Sequence, residues 1–353
     1  WAFCDLLVIG AGPAGLMAAL AAARAGADVI LADEDHRMGG RLLMETHQVG
    51  GRPGADWAAG VIEELASLPN VRLMARTTVT GAYDGGTYGA LERVALHLAN
   101  PSDALPRECF WRIVAKRAIL AAGAQERPIA FANNDRPGIM TAGAVRGYLN
   151  RWGVAAGQSV TIFCNNDNAH RTARDLAAAG VRIAALIDVR EDVAVPGGFP
   201  VHAGCRVIDT AGRRGLSEVV IADREGRVSR IASDCLAVSG GWNPALHLAC
   251  HMTGRPVWRE EIAAFVPKPG MVPGLAVAGA ANGAYSTRAC LAEGAAAGEA
   301  ALEALGYTTP RTEVPQAEDG AIRIRAYWEV PAPKHRAWLD FANDVTTKDV
   351  RLP

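Results

Sequence analysis

Leu6–Glu34 reads LLVIGAGPAGLMAALAAARAGADVILADE. An apolar run, Leu6–Ile9, meets the turn Gly10-Ala-Gly-Pro-Ala-Gly15; an alanine-rich helix follows, and a second apolar run, Val29–Ala32, ends on Asp33-Glu34. This order of elements is a βαβ unit whose turn suits a dinucleotide. Gly10 makes the tight turn, Gly12 lets backbone approach a pyrophosphate, and Gly15 lets the helix pack close to the strand. Unpaired amides at the helix start and the positive end of its dipole favour an anion there. Asp33 or Glu34, about 20 positions beyond the turn, is placed to accept hydrogen bonds from an adenosine ribose.

Leu6–Ala23 carries no charge over 18 residues, about the minimum for a membrane span. Three glycines and Pro13 interrupt it, dividing it into a short buried strand and a helix too short to cross a bilayer. No cationic segment precedes it, so it does not read as a secretory signal. The net charge is −1 with both signs interspersed, so no field gathers nucleic acid or an anionic membrane, and neither partner is expected. The seven cysteines stand singly, mostly in apolar segments, and no C-x-x-C is present. They are expected to be buried small hydrophobes in a reducing cytoplasm, with no redox disulfide, iron–sulfur or zinc site. The sequence starts at Trp1 without methionine and stops just after a charged segment, which leads us to expect a fragment of a longer protein.

Beyond the acid, the pair Gly39-Gly40 leaves room for a loop beside a bound cofactor. A helix is expected over 58–68 and a strand over 71–79; strands at 93–98 and 109–114 flank a turn at 101–106, and a strand over 117–124 ends on small residues. A second half follows: a helix over 141–152 N-capped by Thr141, a strand over 159–164, a helix over 168–179 stopped by Gly180, and a strand over 181–188. Its turn, Cys164-Asn-Asn-Asp-Asn-Ala-His170, lacks the glycines. Side chains there crowd a pyrophosphate and Asp167 repels it, so this half reads as Rossmann-like without nucleotide binding. His170 reads as a hydrogen-bonded surface group, since no carboxylate and nucleophile pair accompanies it in sequence. Further strands are expected over 219–222, 230–231 and 235–238. The strand over 274–281 and the helix over 288–305 return to the first domain, and their junction offers amides to the same cofactor.

The expected fold class is therefore α/β with two Rossmann-like domains: residues 1–124 plus 268–306 as a discontinuous dinucleotide-binding domain, 125–267 as the second domain, and 307–353 as a linker or the start of another.

Four further segments carry a family likeness. Ala132–Ala144 (ANNDRPGIMTAGA), Asn165-Asn-Asp167, Gly240–Pro244 (GGWNP), and Asp340–Thr346 (DFANDVT) with Lys348-Asp349 closely resemble the alpha subunits of heterotetrameric sarcosine oxidases. The resemblance covers essentially the whole chain. Family members carry a small domain before the glycine turn and a folate-binding domain after the DFxNDVT motif, so it implies tetrahydrofolate bound outside this segment. It implies non-covalent NAD+ in this region, covalent FMN at the alpha/beta interface and FAD in the beta subunit. It also implies beta, gamma and delta partner subunits and oxidative demethylation of sarcosine by the complex, with O2 as electron acceptor. By position, the implied NAD+ contacts are Gly10, Gly12, Ala14 and Gly15 at the pyrophosphate, and Asp33, Glu34 and Asp35 at the adenosine. Arg41 and Val79 complete that end. Gly279, Ala280, Tyr285 and Thr287 come from the final βα junction. No residue is assigned as a sarcosine catalyst. Arg41 departs from the smaller polar residue expected there and reaches either phosphate or solvent.

The glycine turn reads only the ADP half that NAD and FAD share, while acids at 33–35 argue against NADP. One rival is the FAD-carrying alpha subunit of a proline- or octopine-type amine dehydrogenase; the cysteine cluster those chains often carry after the last helix is missing from 311–353. Another is a scaffold in which the nucleotide only stabilises a surface for catalytic subunits.

Overall fold

Ala2–Ile9 (β1) is buried at every position except Phe3, as expected of a strand covered on both faces of a parallel sheet. In the computed structural model, which describes residues 1–351 except 194, 196, 309, 310, 319, 321 and 332, β1 leads into Pro13–Arg24 (α1) and then Val29–Ala32 (β2). Leu6 pairs with Val29 and Ile9 with Ala32 in parallel register. Strand Val71–Met74 continues the sheet beyond β2. On the other side β1 pairs with Cys109–Leu120, which also pairs with Leu275–Val277. An antiparallel meander of Thr77–Tyr83 and Thr87–Glu92 extends from the same long strand. The fold class expected from the sequence is the one found.

α1 is buried from Ala14 to Ala23, because the helix Thr287–Leu305 packs directly over it. Small residues permit that approach. A Cβ on Gly294 would stand 2.1 Å from Ala14 O, and one on Gly298 would stand 2.9 Å from Ala18 O. Gly294→Ala is therefore expected to push the two helices apart and to destabilise the first unit by about 3 kcal/mol, the upper end for overpacking; urea unfolding checks this.

Several local expectations change. The expected strand 71–79 is two strands, broken at Arg76, whose φ of +53° turns the chain. The strand expected over 93–98 instead lies at Thr87–Glu92, because pairing with Cys109–Val114 fixes the register. Cys109–Leu120 is continuous, not two strands. The helix expected from 58 starts at Gly54, with Trp57, Ala58, Val61 and Leu65 facing the core. The strand expected over 274–281 is only Leu275–Val277, followed by a 3-10 turn, Gly279–Asn282.

A second sheet is wholly parallel, in the order Ile139–Thr141, Cys235–Ser239, Ser159–Cys164, Arg182–Asp188, Val201–Ala203. Helices Ala142–Trp152 and Asn168–Ala178 pack on it. Gly180, at φ +82°, follows the second of these helices as expected. Thr141 makes no side-chain cap; Glu126 Oε2 accepts from Gly143 N at 2.6 Å and takes that role.

Two compact units result. The first gathers Trp1–Gln125, Asn243–Arg259 and Ala264–Ala321, and the second gathers Glu126–Trp242, Glu260–Ala263 and Ile322–Pro353. The sequence places the return to the first unit at 268 and a separate segment from 307, whereas in the structure 243–259 and 264–321 gather with the first unit and 322–353 with the second. Residues 194, 196, 309, 310, 319, 321, 332, 352 and 353 lie outside the described residues, so the loops expected at 188–200 and 308–318 and the terminal segment are described only in part. Among the described residues, no helix is long and apolar enough to cross a membrane. Of the cysteines, Cys4, Cys164, Cys235 and Cys290 are buried, Cys109 and Cys205 are half-buried, and Cys250 is exposed; all are free thiols.

Candidate functional site

The three glycines of the first turn have different physical reasons. Gly10 has φ +100°, and a Cβ there would stand 2.5 Å from Ala121 O. A Cβ on Gly15 would stand 1.8 Å from Gly10 O, so the fold itself demands both glycines. Gly12 is different: its φ is −75° and ψ −174°, open to any residue, and a Cβ on it would meet no protein atom within 4 Å. Backbone strain and protein packing leave Gly12 unexplained. A cradle that a side chain would fill, beside the start of α1 with no acidic residue in its first turn, fits a phosphate group held by helix amides.

Asp33 leans over this turn. Its Oδ2 accepts from Ala11 N at 2.6 Å and its Oδ1 from Asp35 N at 2.8 Å. Burial pushes its carboxyl up, against the lowering effect of those two amides. Glu34 is exposed, and its carbonyl accepts from Arg93 Nη2 at 2.7 Å. Of the two acids left open by spacing, Asp33 braces the glycine turn and Glu34 faces outward. Asp35 lies 2.8 Å from the His36 ring. Thr77 N donates to Asp33 O at 2.8 Å, which brings the start of the strand carrying Val79 beside the acid.

Gly40 closes one side of the turn, where its Cβ would stand 2.7 Å from Gly12 Cα. Arg41 Nε pairs with Glu45 Oε1 at 2.8 Å, four residues on, and its side chain stays 39% exposed. Gly279 closes the other side, with φ +71° and a Cβ position 2.7 Å from Ala14 Cβ. Its amide donates to Glu293 Oε2 at 3.0 Å. Ala280 lies in that same turn, and Tyr285 stands just before the helix that Thr287 opens. Ser286 caps this helix through Ala289 N at 3.2 Å, and Thr287 Oγ1 lies 2.9 Å from His47 Nε2. Glu45 and His47 escaped the sequence reading because no local spacing ties them to residue 287.

The second unit's crevice is filled by its own chain. Asn166 Oδ1 accepts from Asn168 N and Ala169 N at 3.1 and 3.3 Å, taking up amides at the helix start. Asn165 Nδ2 donates to Arg325 O at 2.8 Å, Asp167 N to Arg323 O at 3.1 Å, and Asn166 bridges to Ile324 in antiparallel fashion. A length of chain around 323–327 thus lies across the turn. Asp167 is held by Arg190 at 2.7 Å and by Arg323.

His170 is corrected. It is buried, and a carboxylate accompanies it: its Nε2 lies 2.7 Å from Asp188 Oδ2, which Cys164 Sγ approaches at 3.4 Å. The carboxylate sits eighteen residues away on a neighbouring strand, beyond the reach of local patterning. Ligand atoms of Cys164, His170 and Asp188 lie within 4.8 Å of one another, the spacing of a metal cluster. Arg190, however, donates through Nε and Nη2 to the same carboxylate at 3.0 and 2.8 Å. That guanidinium already supplies the cation, so the cluster is a neutralised network. Burial pushes the Cys164 thiol well up, with Asp188 adding to it, which leaves the sulfur unreactive.

Two Rossmann-like folds, one with an open glycine cradle, define the class: a dinucleotide-binding region of the FAD/NAD(P)-dependent oxidoreductases. Residues 5–100 match the FAD-dependent oxidoreductase family. More particularly, the chain matches a region of the sarcosine oxidase alpha subunit. It is 47% identical to that subunit in Rhizobium meliloti (strain 1021), over 100% of this chain and 36% of that protein. Against an opine oxidase subunit of Agrobacterium tumefaciens (strain Ach5) it is 35% identical, over only 54% of the chain and 37% of that protein. The fold resembles the crystal structure of L-proline dehydrogenase from P. horikoshii, with TM-score 0.69 and 21% identity over 88% of this chain and 57% of that one. The chain thus spans little more than a third of the length of the sarcosine oxidase alpha subunits it matches.

Proposed function

We propose that this chain is the NAD+-binding part of a sarcosine oxidase alpha subunit. The observation that carries the nucleotide reading is the unexplained Gly12 cradle at the start of α1. The family likeness, spread over the whole chain, supports the particular enzyme. In this reading residues 1–124 and 268–306 form the dinucleotide-binding domain, and 125–267 form a companion that takes no nucleotide. Gly10, Gly12, Ala14 and Gly15 receive the pyrophosphate. Asp33, Glu34, Asp35 and Val79 border the adenosine, Arg41 lies along that side, and Gly279, Ala280, Tyr285 and Thr287 form the opposite wall. Bound NAD+ carries a nicotinamide able to accept hydride; this chain's residues bind and orient it.

The complex would contain beta, gamma and delta subunits, with FAD in beta, FMN at the alpha/beta interface and tetrahydrofolate in another domain of the alpha polypeptide. It oxidises the N-methyl group of sarcosine to give glycine, with O2 reduced to H2O2 and the carbon released as 5,10-methylenetetrahydrofolate or formaldehyde. Its place is the cytoplasm.

The match of residues 5–100 to an FAD-dependent family favours a second reading, an FAD-carrying alpha subunit of an amine dehydrogenase. Denaturing the alpha chain, purified free of the beta subunit, and identifying the released nucleotide by absorbance and mass spectrometry separates them. NAD+ is expected; stoichiometric FAD would reject the NAD+ assignment. A scaffold role predicts NAD+ release as well, but unchanged sarcosine turnover once the nucleotide is stripped from the complex.

A further inference from the structure

Two segments enclose the glycine turn of the first unit, one at Gly40 beside Gly12 and the other at Gly279 beside Ala14. A few residues past each, the same segments are joined by side chains. His47 Nε2 lies 2.9 Å from Thr287 Oγ1, His47 Nδ1 lies 3.4 Å from Glu45 Oε2, and Glu45 Oε1 takes Arg41 Nε at 2.8 Å. The Glu45 side chain is only 5% exposed and that of His47 11%. A carboxylate on one edge of an imidazole fixes the ring plane and aims its other nitrogen. Here that nitrogen meets the hydroxyl of the first residue of the helix Thr287–Leu305.

We infer that His47 is a positioning residue of the dinucleotide site, a latch that ties loop 40–47 to the start of this last helix and holds the Thr287 hydroxyl in place for the nucleotide. The inference rests on the reading of Gly12 as the phosphate seat. Its physical basis is preorganisation: walls already joined in the free protein need no ordering when the ligand enters.

The test is the affinity of the intact protein for NAD+, measured by calorimetry after resident nucleotide has been removed. His47→Leu is expected to weaken binding about two- to tenfold, the range for one hydrogen bond. Thr287→Val, which removes the hydroxyl itself, should weaken it at least as much, and the double variant no further than Thr287→Val alone, since His47 acts only through that hydroxyl. His47→Gln, whose amide reaches toward the same hydroxyl, should restore most of the affinity. If His47→Leu fails to fold, Thr287→Val and His47→Gln carry the test. Full affinity in His47→Leu, or losses that multiply in the double variant, overturns the latch. If Gly12→Val abolishes binding in that case, the seat stands and only the latch falls; if Gly12→Val also binds NAD+ normally, the seat itself is misplaced.

Discussion

Gly12→Val is expected to leave the protein folded and to weaken dinucleotide binding about a hundredfold, equivalent to ~3 kcal/mol. The asymmetry is the point. A Cβ added at Gly12 meets no protein atom within 4 Å and requires no unusual backbone angle, so little loss of stability is expected. The same space is where helix amides would hold a pyrophosphate, and two methyl groups there exclude it. Gly15→Ala should behave in the opposite way, since its Cβ would stand 1.8 Å from Gly10 O and the strand–helix contact must open. Nucleotide retention and urea midpoint, measured on both variants, separate the roles. A Gly12→Val protein that retains nucleotide normally would show that the ligand lies elsewhere.

Asp188→Ala is expected to destabilise the second unit by about 3–5 kcal/mol, the cost of breaking a buried ion pair from one side. Asp188 is fully buried, and the loss strips Arg190 of two side-chain contacts and His170 of its 2.7 Å partner. Equilibrium unfolding in urea gives the number. Burial would raise the Asp188 carboxyl, but hydrogen bonds from His170 and Arg190 outweigh it and hold the pKa below the ordinary value. A folded-state pKa below the unfolded one adds stability that is complete above about pH 4 and lost as the pH falls further. Asp188→Asn should therefore be less stable at neutral pH and should lose part of the acid dependence below about pH 4. An Asp188→Asn protein with the parent's acid profile would show that the carboxylate contributes nothing to it.

The first crevice was legible because its information is local. Gly10, Gly12, Gly15 and Asp33 follow from a spacing that a strand, turn, helix and strand impose, and the structure brings Asp33 onto the turn through Ala11 N. The second unit was legible as a Rossmann-like half, and the crowding of its turn by Asn165–Asp167 was readable too. The manner of its closure was not: Arg323 and Arg325 lie more than 150 residues from the turn they cover. The same distance effect hid the partner of His170 and the meeting of His47 with Thr287. Strand limits moved for a related reason. Thr87–Glu92 is a strand because Cys109–Val114 pairs with it, while propensity alone favours 93–98.

The α/β class and the glycine turn could be read from the residues alone, since these depend on backbone conformations and apolar periods that neighbouring residues dictate. Which of three glycines is unexplained by the protein, which of two adjacent acids faces the turn, and how buried charges in the second unit are neutralised emerge only in the folded chain. Each of these depends on atoms distant in sequence that folding alone brings within bonding or van der Waals range.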